Sequence, residues 1–130
     1  MTNPVFPLGT ELTDKVALND LDAAGGVLQW QNHEESPVLV TRLVIDITSA
    51  STDDAACDFG SAADSTSSSS NLIDQLNTHA VGIFDNIQNG TKTYVKRDPG
   101  QWITGTKSPG CRNSVADLAG FAYITYLIIP

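Results

Sequence analysis

The chain has 130 residues, with 15 acidic and 7 basic side chains and a formal net charge of -8. This length fits a single domain with a real hydrophobic core, and a hydrophobic content of 41% excludes a disordered acidic tail. Scattered basic residues argue against nucleic acid and membrane surfaces as partners. With no apolar run of about 18 residues and no basic leader, we expect neither a membrane span nor a signal peptide.

The N-terminal part differs in composition from the rest of the chain. Residues 1–26 are predicted to be an extended arm followed by a first short strand, and residues 27–130 to be a β-sandwich domain. Val16 and Leu18, two positions apart, indicate that first strand.

The arm carries apolar side chains next to two prolines. Val5, Phe6 and Leu8 accompany Pro4 and Pro7, which favour an extended backbone. An apolar segment gains little by remaining in solvent, because burying its side chains is favourable. We therefore expect these three side chains to lie on a neighbouring surface.

The strongest strand pattern runs from Val38 to Thr48, where β-branched residues dominate. Strict alternation predicts one core-facing side and one amphipathic side that is partly covered. The predicted core-facing residues are Leu39, Thr41, Leu43, Ile45 and Ile47.

Other short apolar or alternating runs are bounded by turn residues and are predicted to be strands. They are Val27–Asn32, Ala56–Ala62, Val81–Phe84, Thr91–Lys96, Gln101–Thr106 and Ala119–Ile129. One helical turn is expected at Leu72–Leu76, capped by Ser70 or Asn71. About seven or eight strands with at most one helical turn predict an all-β, antiparallel, jelly-roll-like sandwich.

The last strand is apolar on both faces, whereas an antiparallel sheet usually leaves one face in water. Covering both faces requires the arm or another subunit, so the sequence predicts an interface and a homo-oligomer. The candidate interface residues are Val5, Phe6, Leu8, Phe121, Tyr123, Ile124, Tyr126 and Ile128.

Catalytic and metal-binding patterns are weak in this sequence. His33 and His79 lie far apart, and neither HExxH nor CxxC occurs. The loop aspartates Asp53, Asp54, Asp58 and Asp64 leave a calcium site open, although solvated acidic loops are the favoured explanation. We expect no enzyme activity, no catalytic residue, no cofactor and no metal.

Two further features of the sequence each allow two interpretations. Trp30, Tyr94 and Trp102 are candidates for a sugar-stacking platform, although aromatic residues in a small sandwich more often pack in the core. Cys57 and Cys111 either form a pair or remain two free thiols.

Several segments between residues 27 and 129 resemble small proteins encoded in the structural gene clusters of tailed bacteriophages. The segments that carry the resemblance are Trp30–Asn32, Val40–Thr48, Ser68–Asp74, Gly82–Ile87 and Gly120–Tyr126. Those relatives are virion proteins of the capsid decoration, or cement, type and are often β-sandwiches.

The resemblance implies a structural virion protein that binds the outer surface of a phage capsid and bridges its subunits. The implied partner is the major capsid protein, and a homotrimer is the favoured assembly. The protein would be made in the bacterial host cytoplasm without secretion and would end on the outer capsid surface. The alternative is a tail, baseplate or fibre accessory module, with or without a carbohydrate-binding function.

Overall fold

The computed structural model describes residues 10–19, 26–91 and 93–129, which form nine strands and no helix. No helix in this part of the chain could cross a membrane. The strands are β1 (Glu11–Asn19), β2 (Gly26–Gln31), β3 (Val38–Ser49), β4 (Ala56–Ala62), β5 (Ile73–Asn77), β6 (Gly82–Asp85), β7 (Val95–Arg97), β8 (Trp102–Lys107) and β9 (Ala119–Ile128). The predicted all-β sandwich is confirmed.

Two antiparallel sheets make up the sandwich. The first sheet has the order β1-β9-β3-β6, and β7 also pairs with β3. The second sheet has the order β2-β8-β4-β5. The strand predicted around Val16 and Leu18 extends back to Glu11 and pairs along its whole length with β9.

The hydrophobic core lies between the two sheets. It is built mainly from β-branched and large apolar side chains, as expected for the facing surfaces of a sandwich. Its largest fully buried members include Leu28, Leu43, Ile45, Ile47, Phe59, Leu72, Ile73, Ile103, Ile124 and Tyr126.

A β-bulge in β3 changes the predicted alternation. Val40 lies opposite Tyr126 and Arg42 lies opposite Thr125, so Thr41 is an extra residue between two partners. Leu39 and Thr41 are therefore half-buried instead of core-facing. Before the bulge the buried residues are Val38 and Val40, and after it they are the predicted Leu43, Ile45 and Ile47.

The expected helical turn at Leu72–Leu76 is wrong, because most of this segment forms strand β5. Ile73 and Leu76 are buried and pair with β4, and Gln75 has a left-handed φ of 54°. The buried Asp58 side chain accepts a hydrogen bond from the Gln75 backbone N–H at 2.8 Å. This contact and the burial of the strand outweigh the local helical preference.

The serine-rich segment at residues 63–71 covers the outer face of the second sheet. Gln29 donates to the carbonyl oxygen of Ser65 at 3.0 Å, and Thr104 donates to that of Ser67 at 2.7 Å. Asn71 closes the segment, accepting from the Ser61 backbone N–H at 3.0 Å and donating to the Ser61 hydroxyl at 2.7 Å. The second sheet therefore has a cover supplied by its own chain.

Replacing Asn71 with alanine is expected to loosen this cover. The change removes both hydrogen bonds between Asn71 and Ser61. The partly buried backbone N–H of Ser61 then lacks the amide acceptor, which lowers the unfolding free energy by about 1–2 kcal/mol. Urea unfolding measures the loss, with Ser68→Ala in the same segment as the control, because Ser68 is exposed. Equal stability of the two variants would contradict the role assigned to Asn71.

Candidate interface

Strand β9 lies at the centre of the first sheet and sends its side chains alternately inwards and outwards. The inward residues are buried in the core and are Ala122, Ile124, Tyr126 and Ile128. The outward residues are partly exposed and are Phe121, Tyr123, Thr125 and Leu127. The outer face of the first sheet is therefore the place where an apolar strand meets solvent.

The register of the sheet places both apolar and charged side chains in the outward row that contains Phe121. On one side Phe121 pairs with Ala17 of β1, and on the other with Asp46 of β3, which pairs with Ile83 of β6. Ile83 is 72% exposed and Phe121 is 36% exposed. In the next outward row Tyr123 lies beside Val44. We call Ala17, Val44, Ile83, Phe121 and Tyr123 the outer-face patch.

Charged side chains lie within this patch and around it: Asp46 lies between Phe121 and Ile83, and Lys15 pairs with Tyr123. The Lys15 Nζ lies 4.1 Å from the centre of the Phe121 ring and 6.0 Å from that of Tyr123, a cation–π arrangement. Arg42 donates to the Asp85 carboxylate at 2.7 Å. Hydrogen bonds from backbone N–H groups, that of Gln88 above all, and the Arg42 guanidinium lower the pKa of Asp85. Aromatic side chains such as Phe121 and Tyr123 are enriched at protein interfaces.

The predicted interface residues divide into three groups in the structure. Phe121 and Tyr123 belong to the outer-face patch, whereas Ile124, Tyr126 and Ile128 point into the core of the same chain. The remaining three, Val5, Phe6 and Leu8, lie outside the described residues. Ile83 and Val44 were missed because their position on the same outer face as Phe121 depends on strand pairing, which short apolar runs do not specify.

The three aromatic residues considered for sugar stacking do not form one platform. Trp30 is 4% exposed and packs in the core, whereas Trp102 is half-buried on the opposite face of the second sheet. Tyr94 is 61% exposed and precedes β7 of the first sheet.

Trp30 instead takes part in a network of polar contacts between the two sheets. Its indole N–H donates to the Asp14 carboxylate of β1 at 2.7 Å, and its ring lies 5.4 Å from that of Tyr126. The Tyr126 hydroxyl donates to Glu34 at 3.1 Å. His33 lies between the two carboxylates, 3.8 Å from Asp14 and 3.6 Å from Glu34.

Because of this network, we expect the protein to lose stability at alkaline pH. Burial, together with the Asp14 and Glu34 charges, raises the pKa of Tyr126. A raised pKa in the folded state contributes stability that is present below the unfolded pKa of about 10 and is lost as the pH rises above it. Urea unfolding from pH 8 to pH 12 is expected to show a steeper decline for the wild type than for Tyr126→Phe.

Tyr94→Phe is the control, because it removes a hydroxyl from an exposed side chain. It is expected to keep the wild-type slope. Identical slopes for Tyr126→Phe and the wild type would contradict the prediction.

The acidic and histidine side chains do not gather into a metal site among the residues that the structure describes, where no group of three potential ligands occurs. The Asp58 carboxylate is buried and accepts from Gln75 and Ser108. Asp64 accepts from Thr66 and Ser67. These carboxylates therefore stabilise local backbone turns and strands.

Comparison with known proteins gives a likeness of fold. No family model matches the chain, and neither does any curated protein sequence. A chain in a solved structure of the capsid of Ralstonia phage GP4 shares the fold with a TM-score of 0.66 at 14% sequence identity. The match covers 100% of this chain and 91% of that one, so the whole sandwich is alike.

Proposed function

We propose that this chain is a bacteriophage structural protein of the decoration type, which binds the outer surface of the capsid and bridges capsid subunits. The observation that carries the proposal is the likeness along the full chain to a chain of the Ralstonia phage GP4 capsid. That chain is similar in length, since the match covers nearly all of both. The sequence resemblance to small tailed-phage virion proteins supports the same role independently.

The strand order supports a further detail of this proposal. Strands in the order β1-β9-β3-β6 face strands in the order β2-β8-β4-β5, and the chain passes repeatedly between the two sheets. This order favours a jelly roll, an architecture found in viral capsid domains. A jelly roll presents its contacts from sheet faces and loops, which suits a structural role without catalysis.

We propose that the outer-face patch joins copies of this chain into a homo-oligomer, with a trimer favoured. Each copy carries a net charge of -8, so copies repel each other unless an apolar contact overcomes the repulsion. Phe121, Tyr123 and Ile83 offer such a contact, and the other sheet face is covered by its own chain. The partner of the oligomer is the major capsid protein, and Val5, Phe6 and Leu8 are proposed to contact it.

Reconstitution tests the proposed function. Heads of the encoding phage that lack this chain are expected to bind the purified protein in a fixed ratio and to resist heat better afterwards. Multivalent contacts make the binding tight although each contact is weak. Because the chain carries a net charge of -8, its binding is expected to depend on salt concentration.

The location of the protein on the particle separates decoration from the alternative role. Immunogold labelling is expected to mark the head surface. Label confined to the tail, baseplate or fibres, or heads whose heat resistance does not change on addition of the protein, would overturn the decoration proposal.

A further inference from the structure

Both cysteines lie at the end of the second sheet where β4 and β8 pair. Cys57 of β4 lies opposite Lys107 of β8, and the Ser108 backbone N–H extends this ladder by donating to Ala56 at 2.9 Å. The chain then turns sharply, because the Cys111 N–H donates to the Ser108 carbonyl at 2.9 Å. After this turn Cys111 packs against the core to which Cys57 belongs, and the Asn113 side chain donates to the Asp54 carbonyl just before β4.

The two thiols differ in their access to solvent. Cys57 is fully buried in the core, whereas Cys111 is half-buried and packs against the same core. An open cavity of about 510 Å³ is lined by Cys111 and by Ala56, the neighbour of Cys57 in the chain. A small molecule can therefore reach Cys111 from solvent, whereas the buried Cys57 is closed off from it.

The surroundings of Cys57 disfavour its ionised form. Burial raises the pKa of Cys57 to about 12, and the charges of Cys111 and Asp58 act in the same direction, while Lys107 opposes them. A thiol that remains protonated is a poor nucleophile. Cys57 alone is therefore inert, and Cys111 is the thiol that meets an oxidant first.

We propose that Cys57 and Cys111 are a redox pair that closes into an intramolecular disulfide when the chain meets a small-molecule disulfide such as oxidised glutathione. The Cys111 thiolate attacks one glutathione sulfur, forms a mixed disulfide and releases one glutathione thiolate. The Cys57 thiol then gives its proton to the released glutathione thiolate, attacks the Cys111 sulfur and releases the second glutathione thiolate. The protein loses two protons and two electrons, and one disulfide becomes two glutathione thiols.

Formation of this disulfide would link β4 of the second sheet covalently to the loop that follows β8. The two cysteines are far apart in the sequence, so the cross-link removes many conformations from the unfolded chain. We expect the melting temperature of the oxidised chain to rise by roughly 10 °C. This inference does not depend on the proposed function, because both cysteines belong to one chain.

Peptide mapping tests the cross-link directly. The full-length protein is treated with oxidised glutathione and digested with trypsin without reductant. Residues 43–92 and 108–112, which contain the two cysteines, are expected to appear as one joined species that separates on reduction. A persistent mixed disulfide on Cys111 with Cys57 still a thiol, or a dimer linked through Cys111 of two chains, would overturn the proposal.

Two single substitutions provide the matched controls. In Cys57→Ala and Cys111→Ser the same treatment is expected to leave the melting temperature unchanged, whereas the wild type gains stability. Cys111→Ser changes a half-buried side chain and keeps the core intact, so it remains informative if Cys57→Ala folds poorly. A rise in Cys111→Ser equal to that of the wild type would show that another reaction causes it.

Discussion

Phe121→Asp is expected to weaken self-association of the chain by roughly 30-fold while leaving the fold intact. Phe121 lies at the centre of the outer-face patch, between Ala17 and Asp46, and is 36% exposed in the single chain. An aspartate there stays solvated in the single chain, but burying it in a contact between copies leaves its charge unpaired. The substitution also removes the aromatic ring under Lys15.

Sedimentation and light scattering over a range of protein concentrations measure this effect. Ser68→Asp is the matched control, since it adds the same charge at an exposed site on the loop that covers the other sheet. The control is expected to associate like the wild type. A wild type that stays monomeric at high concentration, or a Phe121→Asp variant that associates normally, would contradict the proposed contact between copies.

Gly120→Ala is expected to lower the unfolding free energy by about 3 kcal/mol, the largest stability effect that we predict for a single methyl group. Gly120 belongs to the central strand β9 and pairs with Leu18 on one side and Ile47 on the other. A Cβ atom at this position would collide with the backbone carbonyl oxygen of Asp46. Because the obstacle is backbone, the collision is relieved only by moving β9 away from β3.

Gly110→Ala separates this collision from a simple backbone effect. Gly110 has a φ of +85° and open space where a Cβ would lie, so alanine there costs only about 1 kcal/mol. Urea unfolding of both variants gives the comparison. A loss for Gly120→Ala no larger than that for Gly110→Ala would show that the two strands separate easily.

Alternation and β-branched composition are sufficient to predict most of the sandwich, because they follow from burial of one strand face. The bulge at Thr41 is not predictable in this way, since it appears only when β3 is aligned with β9. Strand β5 was not predicted for the same reason. Its conformation depends on Asp58 of a neighbouring strand, whose hydrogen bond with Gln75 cannot be inferred from the local sequence.

The orientation of side chains at the candidate interface likewise depends on the tertiary structure and not on the local sequence. The apolar character of both faces of β9 is evident from the sequence, but the sequence does not say which face the second sheet covers. Tyr126 therefore appears equivalent to Tyr123 until the structure places it in the core, bonded to Glu34. Ile83 joins the patch only through its pairing with Asp46.

The order of strands in the first sheet also has a consequence for how the protein acquires its structure. Strand β9 lies between β1 and β3, yet it is the last of the nine strands to leave the ribosome. Until then β1 pairs with none of the other described strands of its sheet, and β3 has an open edge. The sandwich is therefore expected to fold after synthesis of this segment, at the slow rate typical of distant β pairing. While these strand edges are unpaired, the nascent chain is most prone to aggregation.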